Sequence, residues 1–182
     1  KMICPDCPAP KTKTGSNQNR TVDSRFAPRI ISEENAFIVD SLMKEVVSNG
    51  TAKGALQLNR SDLAGKTGTT NNYFDAWFTG YNPDVVTSVW VGFDSPQDLG
   101  KGESGARAAL PIWIDYMRVA LEDRPDLERE IPEKIVEVHT NPISGLRATE
   151  EESDAYLEFF VRGSEPPFPD PESLIDPIQG LF

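Results

Sequence analysis

The run Leu63-Ala64-Gly65-Lys66-Thr67-Gly68-Thr69-Thr70 is followed, after Asn71-Asn72-Tyr73, by Phe74-Asp75-Ala76-Trp77-Phe78-Thr79-Gly80-Tyr81. The turn Asn82-Pro83-Asp84 then leads to Val85-Val86-Thr87-Ser88-Val89-Trp90-Val91-Gly92-Phe93. Aromatic and β-branched residues mark all three runs as strands, and connections this short demand antiparallel neighbours. The first run has little bulk, with glycine and threonine dominating. That suits a strand crowded by neighbours or by a ligand, and its other edge is expected to pair with a segment upstream of this chain rather than with residues 1–28.

Two helices flank these strands. Ser32 is placed to cap a helix over 33–47, with Glu33 and Glu34 in its first turn and Asn49-Gly50 at its end. Ala36, Val39, Leu42, Met43, Val46 and Val47 recur at helical spacing and predict a buried stripe. A second helix is expected over 106–121, with Pro111 in its first turn and Ile112, Trp113, Tyr116, Met117 and Ala120 facing the sheet. Residues 135–140 and 156–161 read as a two-stranded appendage around Asn141-Pro142 and Ser144-Gly145. The expected organisation is an extended lead-in over 1–28, the main α+β body over 29–130, the small β appendage over 131–162, and a Pro- and acid-rich tail over 163–182.

A length of 182 residues, 38% apolar and 9% aromatic, is enough for a folded domain with a core. Residues 1–93 carry 9 acidic and 10 basic side chains, and residues 94–182 carry 20 and 8. The resulting net charge of −11 argues against a nucleic-acid partner, because phosphates would be repelled by most of the surface. No apolar run approaches the ~20 residues of a membrane helix. Glu150, Glu151, Glu152 and Asp154 read as an exposed turn. Cys4 and Cys7 leave a disulfide, half of a zinc site, a redox pair or two free thiols open. The only histidine, His139, is read as structural or solvent-exposed rather than as a general base.

The chemistry concentrates in Lys66-Thr67-Gly68-Thr69. A phosphate-binding loop would require glycine where Arg60 stands, and a helix rather than a strand afterwards. The other reading is the Lys-Thr-Gly strand of penicillin-interacting serine acyltransferases. On a strand Lys66 and Gly68 share one face and Thr67 and Thr69 the other, and the twist of an edge strand can gather them around one cleft. Lysine supplies fixed positive charge, threonine hydroxyls can bind a carboxylate, and Gly68 permits a close approach of a substrate backbone.

Lys66-Thr67-Gly68-Thr69-Thr70-Asn71, Asp75-Ala76-Trp77-Phe78-Thr79-Gly80-Tyr81 and Val89-Trp90-Val91-Gly92-Phe93-Asp94 together closely resemble class A high-molecular-mass penicillin-binding proteins, of the 1A kind found in Gram-negative envelopes. Cys7-Pro8-Ala9-Pro10, Asn35-Ala36-Phe37-Ile38, Gly50-Thr51-Ala52, Leu99-Gly100 and Ala109-Leu110-Pro111-Ile112-Trp113 extend the resemblance, which covers about residues 28–125 firmly. It implies an α+β fold, an antiparallel sheet flanked by helices, forming an incomplete part of a penicillin-binding/β-lactamase-like serine transpeptidase. It further implies a D,D-transpeptidase that cross-links peptidoglycan stem peptides and is acylated by β-lactams, within a bifunctional glycosyltransferase/transpeptidase.

On that resemblance Lys66 is the catalytic residue of this chain, supplying positive potential and orienting a serine of a Ser-x-Asn motif. Thr67 and Thr69 hold the donor carboxylate, Gly68 keeps the strand accessible, and the Thr69 N–H forms half of an oxyanion hole. Trp77 and Trp90 are assigned to core and sheet packing. No cofactor or metal is implied. The nucleophile is not found: Ser41-Leu42-Met43-Lys44 has Ser-x-x-Lys spacing, but Leu42 and Met43 belong to the helix stripe, and Ser61-Asp62 is followed by Leu63 rather than Asn. The chain therefore reads as a C-terminal piece, inactive alone. Its expected partners are the upstream part of the same protein, which also carries the membrane anchor, and envelope regulators, with this region facing the periplasm. A D,D-carboxypeptidase, a class A β-lactamase and a non-catalytic envelope interaction module are the competing readings.

Overall fold

The computed structural model describes residues 29–148, 152 and 154–170; Cys4, Cys7 and the expected lead-in over 1–28 lie outside them, as does the tail beyond 170. The chain divides into two units, Lys1–Ser32 and Glu33–Phe182, and everything that follows concerns the second. Helix α1 spans Glu33–Ser48, and a 3₁₀ turn, Lys53–Leu58, leads to β1, Ala64–Thr69. Strands β2, Asp75–Tyr81, and β3, Val86–Gly92, complete a three-stranded sheet in the order β1-β2-β3, antiparallel throughout. Helix α2, Leu110–Ala120, follows a wide π turn over Gly105–Ala109, and β4, Ile135–Thr140, pairs antiparallel with β5, Tyr156–Val161.

The short links, 70–74 and 82–85, select this topology, and the turn before β3 is closed by Asn82, whose side-chain oxygen accepts the N–H groups of Asp84 and Val85. The expected second helix begins as a π turn. Pro111 has no N–H to give the carbonyl of Arg107, and widening the first turn avoids the clash its ring would otherwise make there.

One face of the sheet carries Ala76, Phe78 and Gly80 inward against α2. Trp113 and Phe78, both fully buried, meet edge to face at 5.0 Å, and the Trp113 indole donates to the Gly80 carbonyl at 3.2 Å. A Cβ at Gly80 would lie 2.7 Å from the Trp113 ring, so the indole seats only over glycine. Once Trp113 is anchored this way, the phase of α2 follows. Leu110, Ile114, Met117 and Leu121 turn inward, while Ile112 and Tyr116, expected to face the sheet, are exposed. The stripe on α1 is also narrower than its spacing predicts: Val47 is buried and Val46 packs on the core, but Val39 and Leu42 are exposed. Trp77 and Trp90 are not core residues either. They sit opposite each other on the far face of the sheet, each 44% exposed, with rings 6.2 Å apart and the Trp90 N–H donating to Asp75.

A buried polar cluster binds the ends of these elements together. Asp62, 2% exposed at the entrance to β1, accepts two hydrogen bonds from Arg60, at 2.9 and 2.7 Å, and one from Asn82 at 3.1 Å. Arg60 also donates to the carbonyls of Arg124 and Pro125, and Asp126 accepts from the Ser61 N–H and hydroxyl. Arg129 reaches the Asp62 carbonyl and pairs with Asp40 of α1. Burial pushes the Tyr81 hydroxyl up to about 12, helped by the charge of Asp40 and a hydrogen bond to it. The segment after α2, which has no periodicity in the sequence, is thus tied to β1. The appendage reaches α1 through Phe37 and Phe159, edge to face at 5.0 Å.

Burial alone would raise the Asp62 carboxyl, but the hydrogen bonds from Arg60, Asn82 and the Leu127 N–H, with the Arg60 charge, hold it below the usual range. Its stabilising contribution is therefore full above the unfolded-state value of about 3.9 and is lost as pH falls through the lower folded-state value. Asp62→Ala takes both carboxylate hydrogen bonds from the Arg60 guanidinium, which keeps Asp126 at 3.4 Å, and should cost about 1.5–3 kcal/mol at pH 7. Urea unfolding of both proteins from pH 7 to pH 2 checks this. The gap between them should close at the acid end, and a gap that stays constant contradicts the assignment.

Candidate functional site

The site is the free edge of β1. Among the described residues β1 pairs only with β2, with Lys66 opposite Thr79, Thr67 opposite Phe78, Gly68 opposite Trp77 and Thr69 opposite Ala76. Directly opposed residues share a face. Lys66 and Gly68 therefore lie on the tryptophan face, and Thr67 and Thr69 on the face that carries α2, as the alternation predicts. The Thr70 N–H donates to the Asp75 carbonyl at 3.1 Å, so alternation along the strand points the N–H groups of Thr69 and Thr67 away from β2, toward the free edge.

Lys66 is exposed, and its ammonium donates to the Thr67 carbonyl at 3.0 Å. It makes no ion pair among the described residues. The two threonine hydroxyls are held by groups remote in sequence. Thr67 Oγ1 lies 2.9 Å from Thr51 Oγ1, on the loop between α1 and the 3₁₀ turn. Thr69 Oγ1 accepts the Gly105 N–H at 3.0 Å, from the π turn before α2. On the opposite face a Cβ on Gly68 would stand 3.2 Å from the Trp77 Cβ, so Trp77 as well as any ligand favours glycine there. Thr70 and Asp75 close the hairpin at its end: the Asp75 N–H donates to Thr70 Oγ1 at 2.8 Å and the Asp75 carboxylate receives the Trp90 indole.

The structure brings Lys66, Thr67, Gly68 and Thr69 to one edge and places Ser41 and Ser61 elsewhere. Ser41 donates to the Ile38 carbonyl within its own helix, and it lines a cavity of about 410 Å³ with Asp40, Lys44 and Arg129, whose walls include no residue of β1. Ser61 is held by Asp126. His139 sits in β4 opposite Leu157, in the appendage. Glu152 and Asp154 are exposed, with Glu152 accepting from the Asn141 amide; Glu150 and Glu151 lie outside the described residues. Among the described residues no cluster of His, Cys, Asp and Glu has metal-holding geometry, and no helix is long and apolar enough to cross a membrane.

Sequence reasoning missed Thr51 and Gly105 as parts of this site. Gly50-Thr51-Ala52 is visible as a motif, but nothing along the chain links it to a residue 16 positions later. Gly105 is legible only as one glycine in a loop. In space a Cβ there would stand 2.2 Å from the Trp77 carbonyl oxygen and 2.7 Å from that of Gly68, backbone atoms that cannot turn aside. Gly105→Ala should therefore push the π turn off β1 and β2, withdraw the donor from Thr69 and cost about 1–3 kcal/mol as an overpacked contact. Thermal unfolding, together with the amide exchange rate of residue 105, checks both consequences; an unchanged exchange rate rules the displacement out.

Comparison with known proteins agrees with this geometry. Residues 27–113 match the family described as the penicillin-binding protein transpeptidase domain. The chain is similar to penicillin-binding protein 1A of Pseudomonas aeruginosa, 49% identical over 147 residues, covering 81% of this chain and 18% of that protein. It is 52% identical over 115 residues to penicillin-binding protein 1A of Neisseria lactamica, covering 63% of this chain and 14% of that one. The crystal structure of penicillin-binding protein 1A from Haemophilus influenzae superposes with a TM-score of 0.72 at 39% identity, over 78% of this chain and 22% of that chain. The chain spans less than a fifth of the length of these curated relatives. A Lys-Thr-Gly-Thr edge strand, the antiparallel sheet with its helices, and these three likenesses converge: the chain belongs to the penicillin-binding protein transpeptidase family, of the 1A kind.

Proposed function

We propose that this chain is the carboxylate-binding wall of a D,D-transpeptidase that cross-links peptidoglycan stem peptides and is inhibited by β-lactams. The observation that carries the reading is the free edge of β1, where a lysine with no ion pair among the described residues, two threonine hydroxyls and outward-pointing backbone N–H groups meet. The nucleophile and its base belong to sequence outside this chain, and this chain alone does not form an acyl-enzyme.

In the assembled site a serine oxygen attacks the carbonyl between the two terminal D-alanines. Lys66 assists the proton transfers by its charge and by orienting the serine of a Ser-x-Asn motif. The Thr69 N–H and the nucleophile's own N–H stabilise the oxyanion, and Thr67 and Thr69 hold the carboxylate of the terminal D-alanine. That D-alanine leaves, its nitrogen taking up the proton released by the serine. An amine of a neighbouring stem then attacks the ester, forming the cross-link and returning the serine. Gly68 keeps the strand flat beside the substrate backbone, and no cofactor enters the sequence of steps.

We assign residues 29–130 to the transpeptidase region, 131–162 to a β appendage and the flanking residues to a lead-in and a tail. The parent protein is taken to be a bifunctional glycosyltransferase/transpeptidase, anchored in the inner membrane by its upstream part with this region in the periplasm, where envelope regulators can reach the appendage.

The deciding experiment treats a preparation containing both this chain and the upstream part with a reporter β-lactam and records the intact mass of every polypeptide. An adduct on the upstream part alone, with this chain unmodified yet required for acylation, is the expected result. An adduct on this chain overturns the division of the site and turns attention to Ser41. Peptidoglycan dimers as product distinguish a transpeptidase from a carboxypeptidase, which would release D-alanine to water, and failure to acylate at all leaves the interaction-module reading.

A further inference from the structure

The hydroxyls of Thr67 and Thr69 are each backed by an internal group, and the two arrangements have the same consequence. The Gly105 N–H can only donate, so it occupies an acceptor position on Thr69 Oγ1 and leaves the Thr69 proton free for something else. At Thr67 the neighbour is a second hydroxyl, Thr51 Oγ1, 2.9 Å away, and geometry alone permits either oxygen to donate. An arriving carboxylate decides the matter. A carboxylate only accepts, so Thr67 must spend its single proton on the ligand, and the bond to Thr51 then survives only if Thr51 is the donor. Both threonines end in the same state, accepting from inside and donating outward.

We propose that Thr51 is a positioning residue for carboxylate-terminated substrates, donating its proton to Thr67 so that the Thr67 hydroxyl faces the ligand already oriented. The inference rests on the reading of Thr67 and Thr69 as the carboxylate-binding pair. Thr51 is well placed for it. The following residue, Ala52, is fully buried and its N–H donates to the Val46 carbonyl at 2.9 Å, which pins the loop to the end of α1. Thr51 itself is exposed, and its hydroxyl meets β1 at Thr67. A hydroxyl that accepts one bond also donates a stronger one, because the chain of bonds polarises in a single direction. The clamp therefore spans three elements: the α1–3₁₀ loop through Thr51, β1 through Thr67 and Thr69, and the π turn through Gly105.

The test uses the full-length protein and second-order acylation rates for a β-lactam carrying its free carboxylate and for the methyl ester of the same compound. Thr51→Val, which removes the hydroxyl and keeps the shape, should slow acylation by the acid about five-fold and leave the ester within about two-fold. Thr51→Ser should restore the acid rate, and Thr51→Val added to Thr67→Val should slow the acid no further than Thr67→Val alone. Equal slowing of acid and ester by Thr51→Val, or no slowing where Thr67→Val slows the acid strongly, overturns the positioning role. If Thr67→Val does not separate acid from ester, the carboxylate reading of Thr67 fails, and the inference fails with it at that identifiable step.

Discussion

The carboxylate of Asp62 fixes where β1 begins, and the geometry of the site follows from that position. It is buried at the point where the chain enters the sheet, and it is bonded to Arg60 two residues before it and to Asn82 at the end of β2. Pairing a buried charge this closely is not a source of large net stability, since desolvation offsets most of the attraction. Its consequence is specificity of register. A slip of one residue along β1 would exchange the two faces of the strand. Lys66 would then point at the core beneath Phe78, and the threonines would join the tryptophans. A residue that carries no chemistry thus determines which way the chemical ones face.

The same cluster explains why the segment after α2 follows the path it does. Residues 122–131 have no hydrophobic period, and neither helix nor strand forms in them. They are held instead by polar atoms: the carbonyls of Arg124 and Pro125 accept from Arg60, Asp126 accepts from Ser61, and Arg129 bridges the Asp62 carbonyl and Asp40. Order in such a segment comes from satisfying buried donors and acceptors rather than from burying apolar area. Part of the acidic surplus in the second half of the chain therefore has a structural use, in pairing with Arg60.

The division between what could be read in the sequence and what could not has a physical basis. The three strands, both helices and the β4–β5 hairpin were legible to within about a residue or a turn, because side-chain alternation, short links and turn residues are local signals. The inward faces were less so. Val39 and Leu42 on α1 and Ile112 and Tyr116 on α2 have helical spacing but remain exposed. For α2 the phase is set by one long-range contact, Trp113 over Gly80, which no periodicity encodes. Trp77 and Trp90 look like core residues by composition, and only the β2–β3 register shows that they stack on the outer face. Within the site, Lys66 to Thr69 were visible as a contiguous motif. Thr51 and Gly105 were not, because each acts by a single hydrogen bond across a long stretch of chain.

Net charge deserves a finer reading than its sum. A total of −11 argues against a polyanion, which must satisfy many phosphate contacts over an extended surface. A single carboxylate meets a different condition. At physiological salt the field of a surface charge decays over about 8 Å, so distant acids scarcely register at a small ligand. What counts is the immediate neighbourhood of the β1 edge. There Lys66 has no acidic partner among the described residues, and Asp75 is occupied by Thr70 and Trp90. An acidic protein is therefore compatible with an anion-binding edge, provided that the edge keeps one cation unpaired and presents its hydroxyl protons outward.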